Sequence, residues 1–465
     1  MDNLALKNII GSVVQDYLHF IKTLHDLLYY TYPEIKLKNI INLLITISNN
    51  IIMKLNQLYE EENYEYLINE VILYENLYLK LNKLLMILEL PRRENVPISI
   101  TYLLDLFSSE EFDFLIIPIF TNNFLYMDFS RILKDYFEEI ELEKEKSPLT
   151  EEKSINLLFY PLSYKNNIVS IILLAHEISH YFEMKYNISK LITEKIELDP
   201  KRIEEISRNL IREVFRDYDR PLEPYINWNA VMAWTMKRIT NVLNNWIREI
   251  FCDLLAYKII GPAYIVVFFE YFLSKFKPET GSESHPPTML RILILIKEFN
   301  ADGFRDKLLN SRNRHLITFV KLIDNLKKYL DNFSINEETI SSREGYLFYY
   351  VYEILDEIID SIIKKSREIS YNIRTYNMDE LINEIPKLLN DFKNLVVPCE
   401  VKPGILANPI SIINAAILFK NTLFDDVFNN YIKDKLDLKK EEFAFKINEL
   451  ALKGVELCLI GMKMK

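Results

Sequence analysis

Three polar residues interrupt the apolar run "IILLAHEISHYFE" at residues 171–183: His176, Glu177 and His180. On an α-helix, positions i and i+4 lie on one face, so both imidazoles can hold the same zinc ion. Glu177 follows the first imidazole and can act as a general base toward water at the open metal position. Because burying these groups without partners would be costly, the pattern predicts two metal ligands and a base within five residues.

A third ligand is expected in "NNWIREIFCDLLAY", residues 244–257. Glu249 and Asp253 lie four residues apart on an otherwise apolar helix pattern, so one face carries two carboxylates. A buried pair of acids needs a cation or hydrogen-bond donors to stay charged. We expect Glu249 to complete the metal site and Asp253 to accept the second N–H of a ligating imidazole. The alternative is a solvated acidic stripe beside Arg248.

A loop that leads into a further helix is indicated by "SESHPPTMLRILILI", residues 282–296, where proline stands in the permitted first turn. The pattern places His285 at the start of this helix and Arg291 within it. Taken alone, the two residues are typical of a surface histidine and a surface charge. They indicate a functional site only in combination with the other two segments.

The order "HEISH", "EIFCDLLA" and "SHPPTMLR" resembles the HExxH, ExxxD and HP-loop motifs of M48-type gluzincin zinc metallopeptidases, in particular the soluble minigluzincin-like members. The resemblance covers residues 110–300 in round numbers and leaves the helical segments at both ends outside. It implies three zinc ligands, His176, His180 and Glu249, for one Zn²⁺ per chain.

The resemblance also implies roles for four further residues. Glu177 would be the catalytic base, and Asp253 would support the ligating imidazoles. His285 would donate to the tetrahedral intermediate or position the substrate. Arg291 would be a buried partner of the site's carboxylates.

Helical patterns dominate the chain outside these motifs. Apolar residues recur at threes and fours over 3–31, 36–60 and 62–89, and again after residue 301, as in long amphipathic helices. The predicted fold is therefore mainly α with a small β-sheet. It consists of an N-terminal helical region (1–95), a zincin-like metallopeptidase core (96–300) and a C-terminal helical region (301–465).

Strand patterns are confined to three short segments. "FDFLIIPIF" and "FLYMDFS" flank "TNN" and predict a β-hairpin, and "INLLFY" at residues 155–160 is a third strand candidate. We expect "INLLFY" to form the edge of the sheet, where an extended peptide substrate would pair as an added strand.

Composition narrows the function classes. The net charge of -11 argues against nucleic-acid binding, which needs clustered Lys and Arg. Three scattered cysteines indicate neither a disulfide framework nor a cysteine metal site, and favour a reducing cytoplasm. The N-terminus carries Asp2 and does not resemble a secretory signal. The most apolar stretch, residues 259–273, contains Gly261-Pro262 and Glu270, which predict a buried helix rather than a membrane span.

The sequence thus predicts a cytoplasmic zinc-dependent metallopeptidase that acts on peptides or proteins. One alternative is a latent or non-catalytic interaction protein on a metallopeptidase scaffold, whose cleft is covered by a regulatory partner or by the chain's own helices. Another is a zinc hydrolase with a substrate other than a peptide. Exposure of the metal's fourth coordination position distinguishes an open enzyme from a latent one.

Overall fold

The computed structural model describes residues 3–29, 35–60, 64–89, 96–97, 99–101, 112–119, 124–128, 154–214, 226–273, 277–341, 344–433 and 438–464. Within it the chain forms two compact units, Met1–Asn166 and Asn167–Lys465. The division at residues 95 and 300 that we predicted from the sequence stays a prediction, and the first of these boundaries lies outside the described residues.

Three long helices make up most of the described residues of the first unit: α1 (Asn3–Leu28), α2 (Ile35–Tyr59) and α3 (Tyr64–Glu89). The helical pattern of the sequence explains their packing, because the buried side chains of α1 recur at threes and fours. These are Ile10, Val13, Tyr17, Phe20, Leu24 and Leu27, with Ile21 beside them. The buried Tyr17 hydroxyl donates to the Tyr74 carbonyl at 2.8 Å and so ties α1 to α3.

The first unit also contains a three-stranded sheet of β1 (Phe112–Ile119), β2 (Leu125–Asp128) and β3 (Ser154–Pro161) in the order β1-β3-β2. β1 runs parallel to β3, and β2 runs antiparallel to it. The predicted hairpin is therefore wrong, because β3 lies between the two strands that we expected to pair. The prediction of an edge at residues 155–160 is also wrong.

Burial explains this strand order. Residues 156–160 of β3 are all buried, as is typical of a central strand that is covered on both faces. β2 instead alternates between exposed and half-buried residues, as an edge strand does. Asn156 is the polar exception in β3, and its Oδ1 accepts a hydrogen bond from the Tyr126 hydroxyl at 2.7 Å.

In its described residues the second unit consists of helices, their connecting loops and one two-stranded hairpin. Its first helices are α4 (Val169–Tyr186), α5 (Ile188–Thr193), α6 (Pro200–Val214), α7 (Trp228–Ile260), α8 (Ala263–Leu273) and α9 (Thr288–Ala301). The next are α10 (Phe304–Asn310), α11 (Arg314–Leu330), α12 (Glu337–Ile340), α13 (Gly345–Ser370) and α14 (Met378–Lys393). After the hairpin of β4 (Glu400–Lys402) and β5 (Ile405–Leu406) come α15 (Pro409–Thr422), α16 (Phe424–Val427) and α17 (Lys440–Lys463).

The long helix α7 organises this unit by packing against α4 on one side and α13 on another. It begins at Asn227, whose side chain accepts a hydrogen bond from Ala230 N, as a helix cap does. It ends at Gly261, where φ is 89°, a left-handed conformation that favours glycine. The helix predicted over 259–273 is thus broken at this glycine, and α8 begins two residues later.

No described helix is both long enough and apolar enough to cross a bilayer.

The junction between α7 and α8 is held by the buried Asn414 of α15. Its Nδ2 donates to the Ile260 carbonyl at 2.6 Å, and its Oδ1 accepts from Ala263 N at 2.9 Å. The side chain therefore satisfies one orphan acceptor and one orphan donor where two helices end and begin. A residue from the C-terminal part of the chain thereby fixes the end of the helix that carries the predicted ligand Glu249.

We predict that Asn414→Ala destabilises the protein by about 2–4 kcal/mol, because it leaves two buried backbone groups without their partner. Chemical denaturation followed by circular dichroism measures the change. The control is Asn332→Ala, which removes an exposed side chain whose hydrogen bonds stay within its own helix end. Equal stability of the two variants would contradict the role of Asn414.

Candidate metal centre

The packing of α4 against α7 brings together the predicted metal ligands. α4 is apolar on most sides, and residues 171–175, just before His176, are all buried. His176 and His180 project from this helix toward Glu249 of α7. One ligand atom from each of the three residues lies within 4.8 Å of the other two. This buried His-His-Glu group can hold a metal ion.

The distances within this group suit a tetrahedral site. Nε2 of His176 lies 3.5 Å from Oε2 of Glu249, and Nε2 of His180 lies 3.6 Å from Oε1 of the same carboxylate. Metal–ligand bonds of about 2.0–2.1 Å in a tetrahedron place neighbouring ligand atoms about 3.4 Å apart. Both separations from Glu249 therefore fit a tetrahedral metal ion such as zinc.

The other ring nitrogen of His176 faces a carboxylate and a hydroxyl. Its Nδ1 lies 3.0 Å from Oδ1 of Asp253 and 3.3 Å from the Tyr264 hydroxyl. The Tyr264 hydroxyl also donates to Oδ1 of Asp253 at 2.7 Å. A carboxylate behind a ligating imidazole fixes its orientation and raises its basicity.

Arg291 of α9 compensates the charge of both carboxylates. Its Nε donates to Oδ2 of Asp253 at 2.6 Å, and its Nη2 donates to Oδ1 of Asp253 at 2.9 Å. The same Nη2 lies 3.1 Å from Oε2 of Glu249. The guanidinium is buried and lies over the rings of Phe268 and Phe272. Two carboxylates against one guanidinium leave one negative charge, which a proton on His176 or a bound cation can balance.

The charges around the site shift the pKa values of its carboxylates. Burial alone would raise the pKa of Glu249, but the charge of Arg291 and the hydrogen bond with His176 keep it well below its usual range. Burial would likewise raise the pKa of Asp253, and Arg291 and His176 again lower it. Both groups are therefore carboxylates near neutral pH.

The two histidines differ in charge when no metal is present. Burial lowers the pKa of His180 to about 3, so this imidazole is neutral, as a metal ligand must be. Burial also opposes charging of His176, but its hydrogen bonds with Asp253 and Glu249 raise its pKa to about 10. His176 therefore carries a proton whose positive charge a bound cation would replace.

Glu177 lies beside His176 on α4 and is buried. Burial raises the pKa of its carboxyl to about 7, although the charge of His176 acts in the opposite direction. An acid with a pKa near neutrality can both accept and release a proton at that pH.

His285 lies on the loop before α9 and points toward the same group. Its Nε2 is 3.8 Å from Oε2 of Glu249, and its side chain is 56% exposed. The loop is fixed to α7, because Trp246 Nε1 donates to the Ser282 carbonyl at 2.7 Å and Asn245 Nδ2 donates to the Glu283 carbonyl at 3.1 Å. The helix that carries Glu249 thus also positions His285.

The structure brings together six of the seven residues that the sequence singled out and places the seventh, Glu177, next to His176 on α4; their individual roles stay predictions. Sequence reasoning missed the pair of Glu183 and Arg248. The alternative of a solvated acidic stripe beside Arg248 is wrong, because Glu249 and Asp253 are both buried. Arg248 Nε donates at 3.0 Å to the buried Glu183 carboxylate. The Ser189 amide and hydroxyl donate to the same carboxylate. This pair cross-links α4 to α7 one turn beyond the ligands.

Sequence reasoning also missed Cys252 and Tyr264. Cys252 Sγ lies 3.3 Å from Nδ1 of His180, and its position three residues after Glu249 was a usable signal, since i and i+3 share a helix face. Tyr264 carried no such signal, because it reaches the site only through the turn between α7 and α8.

Comparison with protein-family models, with curated proteins and with solved structures found no match for this chain. The site is therefore defined by its own geometry, as a buried His-His-Glu group in a mainly helical chain.

We predict that Asp253→Asn lowers the affinity for zinc about 10–100-fold, because the amide supports His176 less well than the carboxylate does. Competition with a chromogenic chelator measures the affinity. The control is Asp391→Asn in α14, which also removes a buried carboxylate, one paired with Lys387. An unchanged affinity in Asp253→Asn would contradict the orienting role.

A zinc ion held by this group would also stabilise the fold, because its ligands come together only in the folded chain. At about 100 times its dissociation constant the ion contributes about 2.7 kcal/mol. Thermal unfolding with zinc and with excess chelator measures this difference. The variant His180→Ala should lose most of it, and an equal zinc effect in that variant would place the ion elsewhere.

Proposed function

We propose that the chain is a zinc-dependent metallopeptidase in which His176, His180 and Glu249 hold the ion and Glu177 is the general base. The observation that carries this proposal is the convergence of three ligand atoms within 4.8 Å, next to a buried acid on the same helix. The motif order, which resembles that of M48-type gluzincins, supports the same reading.

The donor set favours a catalytic zinc ion over a structural one. Structural zinc is usually closed by four protein ligands that include cysteine, whereas catalytic zinc keeps three protein ligands and one open position. Two histidines and one glutamate form such a three-ligand set. Among the described residues, no fourth His, Cys, Asp or Glu joins the group.

A zinc ion held there would supply a Lewis acid that polarises a peptide carbonyl and makes water more acidic. The chain's own part is proton transfer. The Glu177 carboxylate takes a proton from the attacking water and passes it to the nitrogen of the leaving amine. Its pKa of about 7 suits transfer in both directions near neutral pH.

His285 is the second group that we assign to the reaction. Ser284 Oγ lies 2.8 Å from Nδ1 of His285, and burial lowers the pKa of this imidazole. We assign the Ser284 hydroxyl as the donor to Nδ1, so that Nε2 carries a proton. That N–H can stabilise the negative charge that develops on the carbonyl oxygen during attack.

Exposure favours an accessible site over a latent one. The side chains of the three ligands keep 10–16% of their surface exposed, and His285 keeps more than half. A cleft filled by the chain's own residues would leave these groups fully covered. We therefore propose that the chain is an enzyme rather than a non-catalytic scaffold, and that its substrates are peptides or proteins.

We predict that Glu177→Gln keeps zinc and lowers peptide hydrolysis at least about 100-fold, because the amide cannot accept the proton from water. Metal analysis should give close to one zinc per chain for the wild type and this variant. Digestion of a peptide library, read by mass spectrometry, measures hydrolysis.

The matched control is Glu194→Gln, which changes an exposed acid paired with Lys190 a few turns further along the chain. It should cleave as the wild type does. A Glu177→Gln variant that still cleaves peptides at the wild-type rate would refute the mechanism. A zinc-loaded wild type that cleaves no peptide would refute the substrate class.

A further inference from the structure

Two residues of α7, Cys252 and Asp253, contact the predicted histidine ligands at Nδ1, on the side opposite the Nε2 atoms that face Glu249. Oδ1 of Asp253 lies 3.0 Å from Nδ1 of His176, and Sγ of Cys252 lies 3.3 Å from Nδ1 of His180. Positions i, i+3 and i+4 share one helix face, so Glu249, Cys252 and Asp253 all face α4. The two imidazoles therefore have different partners, a carboxylate and a thiol.

The environment of Cys252 keeps it a neutral thiol. It is fully buried, and burial together with the charge of Glu249 raises the pKa of its thiol well above the usual range. A neutral sulfur accepts hydrogen bonds weakly, and its S–H is a weak donor. It is therefore poorly suited to act as a nucleophile or as a thiolate ligand in this position.

The orientation of the His180 ring indicates that this sulfur accepts a hydrogen bond from it. Nε2 of His180 points toward Glu249, at 3.6 Å from Oε1, so a metal in the site would meet Nε2. An imidazole that binds a metal through Nε2 must carry its proton on Nδ1, and that N–H needs an acceptor when it is buried. Sγ of Cys252 stands at hydrogen-bonding distance from that nitrogen.

We propose that Cys252 is a positioning residue of the metal centre: its sulfur accepts the Nδ1–H of His180 and so turns the Nε2 lone pair toward the metal. The inference rests on the proposed metal site and extends it to a residue that contacts neither metal nor substrate. A thiol is a weaker acceptor than a carboxylate, so its effect on metal affinity belongs at the low end of the range for such partners.

The test compares the zinc affinities of the wild type, Cys252→Ala, Cys252→Ser and Cys458→Ala by chelator competition. Cys458→Ala is the matched control, because Cys458 of α17 is equally buried and its thiol contacts the Cys399 carbonyl, away from the metal site. We expect Cys252→Ala to bind zinc about 10-fold more weakly, and Cys458→Ala to bind it as the wild type does. Cys252→Ser keeps an acceptor and should recover affinity to within about threefold of the wild type.

Thermal unfolding of each variant in excess chelator separates positioning from packing. If Cys252 only fills space, Cys252→Ala lowers the melting temperature of the metal-free protein and leaves the zinc affinity unchanged, which would overturn the proposal. Serine binding as weakly as alanine would overturn it too. A wild type that binds no zinc would instead overturn the proposed function.

If Cys252→Ala does not fold, the tautomer of His180 in the zinc-loaded wild type decides the question. Long-range ¹H–¹⁵N spectra, assigned with the His180→Gln variant, should show a protonated Nδ1 on this ring. A ring that is protonated on Nε2 would exclude the proposed hydrogen bond.

Discussion

The guanidinium of Arg291 meets two carboxylates in the interior, Asp253 and Glu249, and the site depends on this contact. Burying a carboxylate costs several kcal/mol unless an opposite charge and hydrogen bonds compensate it. Arg291 provides both, at 2.6 to 3.1 Å, and in doing so draws α9 against α7. The carboxylates are thereby kept ionised before any metal arrives, and a cation would take the place of the proton on His176.

The chemistry of the site was largely predictable from local spacing. His176, His180, Glu249 and Asp253 lie on helix faces that a period of 3.6 residues defines, and a helix period is readable in sequence. Tyr264 and the clamp between Glu183 and Arg248 were not predictable in this way. Their contacts depend on the turn after Gly261 and on how α4 crosses α7, and neither is a property of one segment.

The sheet shows where local reading fails. Each strand was predicted close to its observed bounds, but the pattern of one strand does not show which other strand it pairs with. The order β1-β3-β2 places a long connection between β1 and β3, so the nearest strand in sequence was the wrong partner. The unbroken apolar run from Leu157 to Tyr160 already carried the relevant signal, because a strand at an edge alternates and a central strand does not.

The ligands of the site come from two helices that are far apart in the chain, and this separation has a thermodynamic consequence. A metal bound to both His180 and Glu249 would act as a cross-link that closes a loop of about 70 residues, and a closure of that length costs the unfolded chain about 4 kcal/mol in entropy. Unfolding with the ion still bound to both residues would therefore be less favourable by about that amount of free energy. Release of the ion would remove this cross-link, so the α4–α7 interface would unfold more easily in the metal-free chain than in the metal-bound one.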